Sequence, residues 1–354
     1  MQAKIALLPG DGIGPEVIES AAEVLKVIAQ RYGHTLSLSQ SLVGAAALRV
    51  GEPPLPVATL EACLAADAIL LGAVGDPEFN AGPREQRPET ALLDLRQALG
   101  VYANLRPAKV WPGLEDGGSL KPERLVGLDV LIVRELTGGI YYGKPRGRTD
   151  DGTVAFDTMR YSQSEIERIA TVAFESARGR NQLVTSVDKA NVLESSRLWR
   201  EVVTEVGTRY PDVRLEHQLV DSCAMLLVSH PDKFDVILAG NLFGDILSDE
   251  AGAVVGSLGL LPSASVGGSG GLFEPVHGSA PDIAGQDKAN PIAAIASAAM
   301  LLRHALDAEE EATRIEVAIG SVLDDGLRTE DLAMEGQEIL GCRAMTQAII
   351  GRLE

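Results

Sequence analysis

The first thirty residues admit few architectures. An apolar run at residues 5–8 breaks at Pro9 into Gly10-Asp11-Gly12-Ile13-Gly14. Pro15 then opens a stretch in which Val17, Ile18, Ala21, Val24, Leu25 and Ile28 recur at helical spacing. The short run predicts a buried strand, and proline suits the first helical turn, where its missing N–H costs nothing. The order returns further on. A helix over 57–66 leads into a strand at 68–71 that Gly72 ends. Strand–helix–strand order with short loops predicts a parallel sheet covered on both faces.

The middle of the chain reads differently. Residues 129–133 (Asp-Val-Leu-Ile-Val) form another buried strand, followed by a passage rich in Gly and Tyr over 137–147. Residues 153–157 predict a strand in need of a partner. A polar helix over 164–178 and strands at 183–187 and 234–238 come next. The chain is glycine-rich over 252–271 and helical from there to its end. At 354 residues it exceeds what one core usually serves, so two domains are expected.

The net charge of -19 argues against nucleic-acid binding, which needs basic surface to displace counterions. It would also repel an anionic substrate, so a site for one must gather its own cations. Cys63, Cys223 and Cys342 show no metal-ligand spacing and read as buried small hydrophobes in a reducing compartment. No signal-peptide run or membrane span is legible, and a cytoplasmic protein is expected.

Gly10-Asp-Gly-Ile-Gly14 falls short of a dinucleotide fingerprint, since Pro15 stands where its last glycine belongs. A tight strand-to-helix turn accounts for these glycines equally well. In Asn241-Leu-Phe-Gly-Asp245-Ile-Leu-Ser-Asp249 a helix would set two carboxylates on one face. Such a pair suits Mg²⁺ or Mn²⁺, although in isolation a solvated acidic face is the preferred reading. Arg134 ends a buried strand, where ligands collect in open α/β sheets. Arg96 and Arg106 stand ten residues apart, and guanidinium groups grip carboxylates through paired hydrogen bonds. Lys189 follows a strand and is a candidate base; Tyr141 is a candidate proton donor. Taken singly, a surface lysine and a packing tyrosine are the ordinary readings.

In order along the chain, LLPGDGIGPE, RPETALLDLR, ANLRPAKV, LIVRELTGGIYYG, SVDKANVL, NLFGDILSD, GSLGLLPSAS and EPVHGSAPDIAG with ANP after it resemble the β-decarboxylating dehydrogenases. The match is to the isopropylmalate branch of a family that also includes isocitrate, homoisocitrate and tartrate/D-malate enzymes. This resemblance implies a two-domain α/β/α sandwich with a mixed sheet shared between domains, not a standard Rossmann fold. Residues 1–101 with 257–354 would form the cofactor-binding domain. Residues 102–256 would form the second, with an intersubunit arm at about 137–157.

The implied activity is NAD-dependent oxidation and decarboxylation of 3-isopropylmalate, in leucine biosynthesis; the alternative substrates are D-malate, tartrate or another 2-alkylmalate. Arg96, Arg106 and Arg134 would hold the substrate carboxylates, and Asp221, Asp245 and Asp249 would bind Mg²⁺ or Mn²⁺. Lys189 would take the hydroxyl proton and Tyr141 would reprotonate the carbon left by CO₂. Lys189 and Asp221 would come from the second subunit of a homodimer. Ile13, His277, Gly278, Ser279, Ala280 and Asn290 would line the adenosine site. Asp282, which can accept from both ribose hydroxyls but would repel a 2′-phosphate, favours NAD over NADP. Glu89, Leu92, Leu93 and Val192 would set substrate choice, the apolar three walling an alkyl pocket. The loop Gly75-Asp-Pro-Glu-Phe-Asn80 departs from the family's Gly-Gly-Pro-Lys-Trp-Asp and changes the charge beside the cofactor entrance.

Overall fold

A computed structural model describes residues 1–353 apart from 80, 82, 118, 119 and 269. Asn80, at the end of the departing loop, therefore lies outside the described residues. The chain divides into two compact units: Met1–Val101, Val110–Ser119 and Gly256–Glu354 form one, and Tyr102–Lys109 with Leu120–Val255 the other.

The chain opens with β1 (Gln2–Gly10), α1 (Gly14–Tyr32), β2 (Thr35–Gln40), α2 (Ala45–Leu48), α3 (Val57–Leu64), β3 (Ala68–Ala73) and α4 (Pro88–Leu99). The second unit contributes β4 (Ala103–Lys109), β5 (Asp129–Glu135), β6 (Gly147–Arg148), β7 (Ala155–Phe156), α5 (Gln163–Arg178) and β8 (Leu183–Asp188). It continues with α6 (Glu194–Gly207), β9 (Arg214–Leu219), α7 (Val220–Ser229), β10 (Val236–Ala239) and α8 (Asn241–Val255). The chain then returns to the first unit with β11 (Pro262–Val266), β12 (Leu272–Pro275), α9 (Ile292–Ala305), α10 (Glu309–Asp324) and α11 (Cys342–Leu353).

Strand order in the first unit is β2-β1-β3-β12-β11. The pairs β1–β2, β1–β3 and β3–β12 are parallel, and β11–β12 is antiparallel. Order in the second is β4-β5-β10-β8-β9, parallel except for β4–β5. The local strand–helix pattern predicts parallel pairing alone, so these two antiparallel pairs are the departure from it. Both involve strands whose sequences hide their type. β4 carries Pro107 and a buried Asn104 and Arg106, and β11 and β12 lie in the stretch read as glycine-rich or helical. The strand expected at 153–157 shrinks to β7. Its partner is β6 of the same chain.

The first unit's core is built where α9 and α1 cover β1, β3 and β12. Residues 292–302 of α9 are buried throughout, which explains why that Ala-rich stretch is apolar on all sides. Among the described residues no helix is long and apolar enough to cross a membrane. All three cysteines are buried and free; burial pushes the thiols of Cys63 and Cys342 up to about 11 and that of Cys223 to about 12. They are inert hydrophobes at neutral pH.

The glycine turn after β1 acts through close backbone approach. Gly12 has φ 57°, and a Cβ on it would stand 1.9 Å from the carbonyl oxygen of Ser279. The neighbouring Ile13 N–H donates to that carbonyl at 2.8 Å. Asp11, buried, accepts from the N–H groups of Ala45 (3.0 Å), Ala46 (2.8 Å) and Gly75 (2.9 Å). The turn therefore binds protein backbone, which is why it needs no fingerprint glycine at position 15.

Candidate active site

A dense charge cluster lies in the second unit, where β4 and β5 run antiparallel with Asn104 opposite Arg134. Residues 104 and 106 share a face, because side chains alternate along a strand. Arg106 and Arg134 thus rise from one surface, and α8 crosses it. Gly244 permits that crossing, since a Cβ there would lie 2.8 Å from Cβ of Arg134. Arg106 and Arg134 are both buried.

Asp245 receives what these strands present. Arg134 Nη1 and the Tyr141 hydroxyl, the latter at 2.8 Å, donate to its two oxygens, with Arg106 Nη1 at 3.3 Å. Arg106 also donates to Ser248 Oγ and to Asn104 Oδ1, each at 2.7 Å, and its Nη1 stands 3.7 Å from Asp249. The guanidinium of Arg134 lies 5.7 Å from the centroid of the Tyr141 ring. Burial raises the Tyr141 pKa, and the hydrogen bond to Asp245 raises it further, so the phenol keeps its proton. Burial also raises Asp249, opposed by Arg106 and reinforced by the charge of Asp245. Arg106, Arg134, Tyr141, Asp245 and Asp249, scattered over more than 140 positions, therefore meet in one cluster.

Asp221 does not join it. It opens α7 and takes the Lys189 ammonium as partner, which lowers its pKa. Among the described residues, the three aspartates do not bring ligand oxygens within 4.8 Å of one another inside one chain. Lys189 directly follows β8. Its N–H is held by Ser196 Oγ at 3.1 Å, and the turn beyond is braced by buried Asp188, which accepts from the Ala190 N–H at 2.8 Å and from Arg200. Val192, on the same loop, is 64% exposed.

In the first unit Arg96 lies on the buried face of α4 and donates through Nη2 to Glu274 Oε1 of β12 at 2.7 Å. Its Nε is buried with no partner among the described residues, a cost that an incoming acceptor would relieve. Leu92 and Leu93 are half-buried on α4, and Glu89 is exposed in its first turn. His277 begins the loop beyond β12. Its Nδ1 lies 2.9 Å from the carbonyl of Gly278, its Nε2 is buried without a partner among the described residues, and burial lowers its pKa. Ala280 takes a left-handed φ of 36° and Asp282 is exposed. Asn290 is buried in structural work: its Oδ1 accepts from the Ile292 N–H at 3.0 Å, and its Nδ2 donates to Asp331 at 3.1 Å. In the departing loop, Asp76 pairs with Arg49, whose guanidinium lies 5.8 Å from the centroid of the Phe79 ring. The loop's acid is thereby held by a cation of its own unit.

Asn104, Asn241 and Glu274 were not legible as participants from sequence. A neutral amide or a lone glutamate gives no signal of its own; only the arginine it faces reveals its use.

An α/β fold with buried arginines, a protonated phenol and paired carboxylates around one strand end defines a class, the hydroxy-acid dehydrogenases that also decarboxylate. The isocitrate/isopropylmalate dehydrogenase family model matches residues 4–349, and the chain belongs to this family. It is similar to the 3-isopropylmalate dehydrogenase of Gloeobacter violaceus, with 53% identity over 355 residues covering 99% of this chain and 98% of the relative. The 3-isopropylmalate dehydrogenase of Halalkalibacterium halodurans is 53% identical over 357 residues, covering 100% and 98%. Among solved structures, isocitrate dehydrogenase from Methylococcus capsulatus superposes with a TM-score of 0.89 at 37% identity, covering 99% of each chain. The chain is a decarboxylating hydroxy-acid dehydrogenase.

Proposed function

We infer that the chain oxidises 3-isopropylmalate with NAD⁺ and decarboxylates the product to 4-methyl-2-oxopentanoate, the oxidative step of leucine biosynthesis. The observation that carries this reading is the cluster of Arg106, Arg134, Tyr141, Asp245 and Asp249, which supplies carboxylate recognition, metal-ligand oxygens and a proton donor together.

The donor set fits a hard divalent cation. Asp245 and Asp249 stand one turn apart on α8, and among the described residues no thiol or imidazole joins them in a ligand cluster. Asp245 and Asp249, with Asp221 from a second subunit, would hold Mg²⁺ or Mn²⁺, which when bound supplies Lewis-acid stabilisation of enolate charge. Arg106 and Arg134 orient the acid, and Arg96 contributes a third guanidinium whose Nε lacks a protein acceptor. Lys189, in its neutral amine form, would accept the hydroxyl proton. Tyr141, held protonated by burial and by Asp245, returns a proton to carbon after CO₂ leaves.

Assembly as a homodimer supports the distribution of these groups. Lys189 and Asp221 pair with each other instead of joining the Asp245 cluster of their own chain, and Met225, Val228 and Ile246 of α7 and α8 expose apolar surface. A second subunit would cover that surface and receive Lys189 and Asp221 in its site. Leu92, Leu93 and Val192 would wall the alkyl group. Leucines leave a third carboxylate unpaired, which disfavours isocitrate.

His277, Gly278, Ser279 and Ala280 would bind the adenosine part of NAD, with Ile13 and Asn290 fixing the loop's surroundings. Asp282 would accept from the ribose hydroxyls, and its exposure leaves it open to do so. Replacing it, Asp282→Lys, is expected to raise the KM for NAD⁺ by about tenfold or more, the loss of a charge-assisted hydrogen bond pair. An unchanged KM would reassign the ribose contact.

The substrate is tested by assaying purified protein with NAD⁺, Mg²⁺ and each acid in turn. The highest kcat/KM is expected for 3-isopropylmalate. A higher value for D-malate would overturn the substrate assignment, and alkylmalates one methylene shorter should lose only ~1–3 kcal/mol of discrimination.

A further inference from the structure

Asn241, the first residue of α8, is buried to 1% exposure and uses every polar atom of its side chain. Its Oδ1 accepts from both Nε and Nη2 of Arg134, at 3.1 and 2.7 Å. Its Nδ2 donates to the carbonyls of Leu136 and Gly138, at 2.9 and 3.2 Å. Its own N–H donates to the Tyr161 hydroxyl at 2.7 Å, which pins the backbone from which that amide projects.

These contacts close a ring. Arg134, held on one edge by Asn241, turns Nη1 to Asp245, which lies one turn further along α8. Asp245 accepts from Tyr141, and Tyr141 stands three residues beyond Gly138, whose carbonyl returns to Asn241. One amide thus sets the position of a guanidinium through its oxygen and that of the tyrosine-bearing turn through its nitrogen.

We propose that Asn241 is a positioning residue, fixing Arg134 and Tyr141 relative to each other without adding a second carboxylate to the one, Asp245, that already pairs with the arginine. The requirement for an amide follows from the two sides of the ring. An aspartate would keep the acceptor for Arg134 but add a second ion pair to the one with Asp245, drawing more of its charge away from an incoming carboxylate. It would also leave the carbonyls of Leu136 and Gly138 without donors, in a buried place where unpaired polar groups are costly. A serine would keep neutrality but is too short to reach both sides at once. The inference rests on the roles proposed above for Arg134 and Tyr141.

The test compares Asn241→Asp and Asn241→Ser with the parent enzyme, which is assayed first with 3-isopropylmalate. If the parent turns over another acid of the family better, that substrate assignment fails on its own and the comparison is run with the preferred acid. Asn241→Asp is expected to raise the substrate KM by about tenfold or more, the scale of hydrogen bonds to a charged group, while the KM for NAD⁺ stays within about twofold. With the acid deuterated at its hydride-donating carbon, the isotope effect on kcat is expected to shrink, because protonation by a displaced Tyr141 becomes slower than hydride transfer. Asn241→Ser should raise the substrate KM less than Asn241→Asp. Should Asn241→Asp fail to fold, Asn241→Ser is read alone, and a raised substrate KM with native KM for NAD⁺ supports the proposal. A native substrate KM in a folded variant, or equal rises for substrate and NAD⁺, would overturn it.

Discussion

Asp245→Asn is expected to lower kcat/KM by about a hundredfold to a thousandfold, the range seen when one preorganised electrostatic group is removed from a reacting centre. The reason is the number of groups that converge on this carboxylate. Arg134 and Tyr141 donate to its separate oxygens, and Arg106 lies 3.3 Å away. An asparagine offers one oxygen and one NH₂. Whichever way it turns, the NH₂ meets a donor, so either the arginine or the tyrosine loses its acceptor. The substitution also removes half of the carboxylate pair on α8 that would hold the metal. Two readouts separate these effects. The concentration of Mg²⁺ giving half-maximal activity should rise, and turnover at saturating Mg²⁺ should remain low because Arg134 and Tyr141 are misplaced. Near-native kcat/KM would show that Asp245 is neither ligand nor anchor. Asp249→Asn, which lacks the tyrosine contact, should recover more of its activity at high Mg²⁺.

Lys189→Ala carries the second large effect. Loss of a positioned general base costs about a hundredfold to ten-thousandfold in kcat. Binding should survive, since the arginines that grip the acid belong to other elements; calorimetric titration of substrate into the variant is expected to give a Kd within a few-fold of the parent's. Unchanged kcat would take the lysine out of the chemistry. The same variant addresses the shared site. If Lys189 serves the neighbouring subunit, a heterodimer of Lys189→Ala and Asp245→Asn holds one site with both defects and one with neither. Random pairing of the two inactive proteins should then restore roughly a quarter of parent activity. No recovery on co-refolding into dimers would mean that each chain completes its own site.

Much of the framework was legible because its signals are local. β1, β3, β5, β8 and β10 are short apolar runs, and α1 carries its apolar stripe at helical spacing, so their type follows from burial on one or both faces. β2 (Thr35–Gln40) escaped because it is an edge strand whose polar residues are exposed and whose two leucines, Leu36 and Leu38, are only half-buried. β4 escaped because its inward positions include Asn104 and Arg106, which break the apolar pattern where the site needs polar groups. Functional demands here override propensity, and they do so at the residues that matter most.

The site divides along the same line. Asp245 and Asp249 were visible as a pair because helical spacing alone sets them on one face, and α8 bears this out. Arg134 was visible because it ends a buried strand, and the structure shows it buried at that end. What no local pattern contains is the partner of each group: that Tyr141 donates to Asp245, that Lys189 takes Asp221, that Asn241 holds Arg134 by one edge and the tyrosine turn by the other. Residue type and spacing are properties of a segment, so the chain order already carried the chemistry's parts and the reaction class they serve. Partnership is a property of strands and helices brought together from positions 104 to 249: the arginine cluster came into being only when β4, β5 and α8 packed face to face, and the Lys189–Asp221 pair only when the end of β8 met α7.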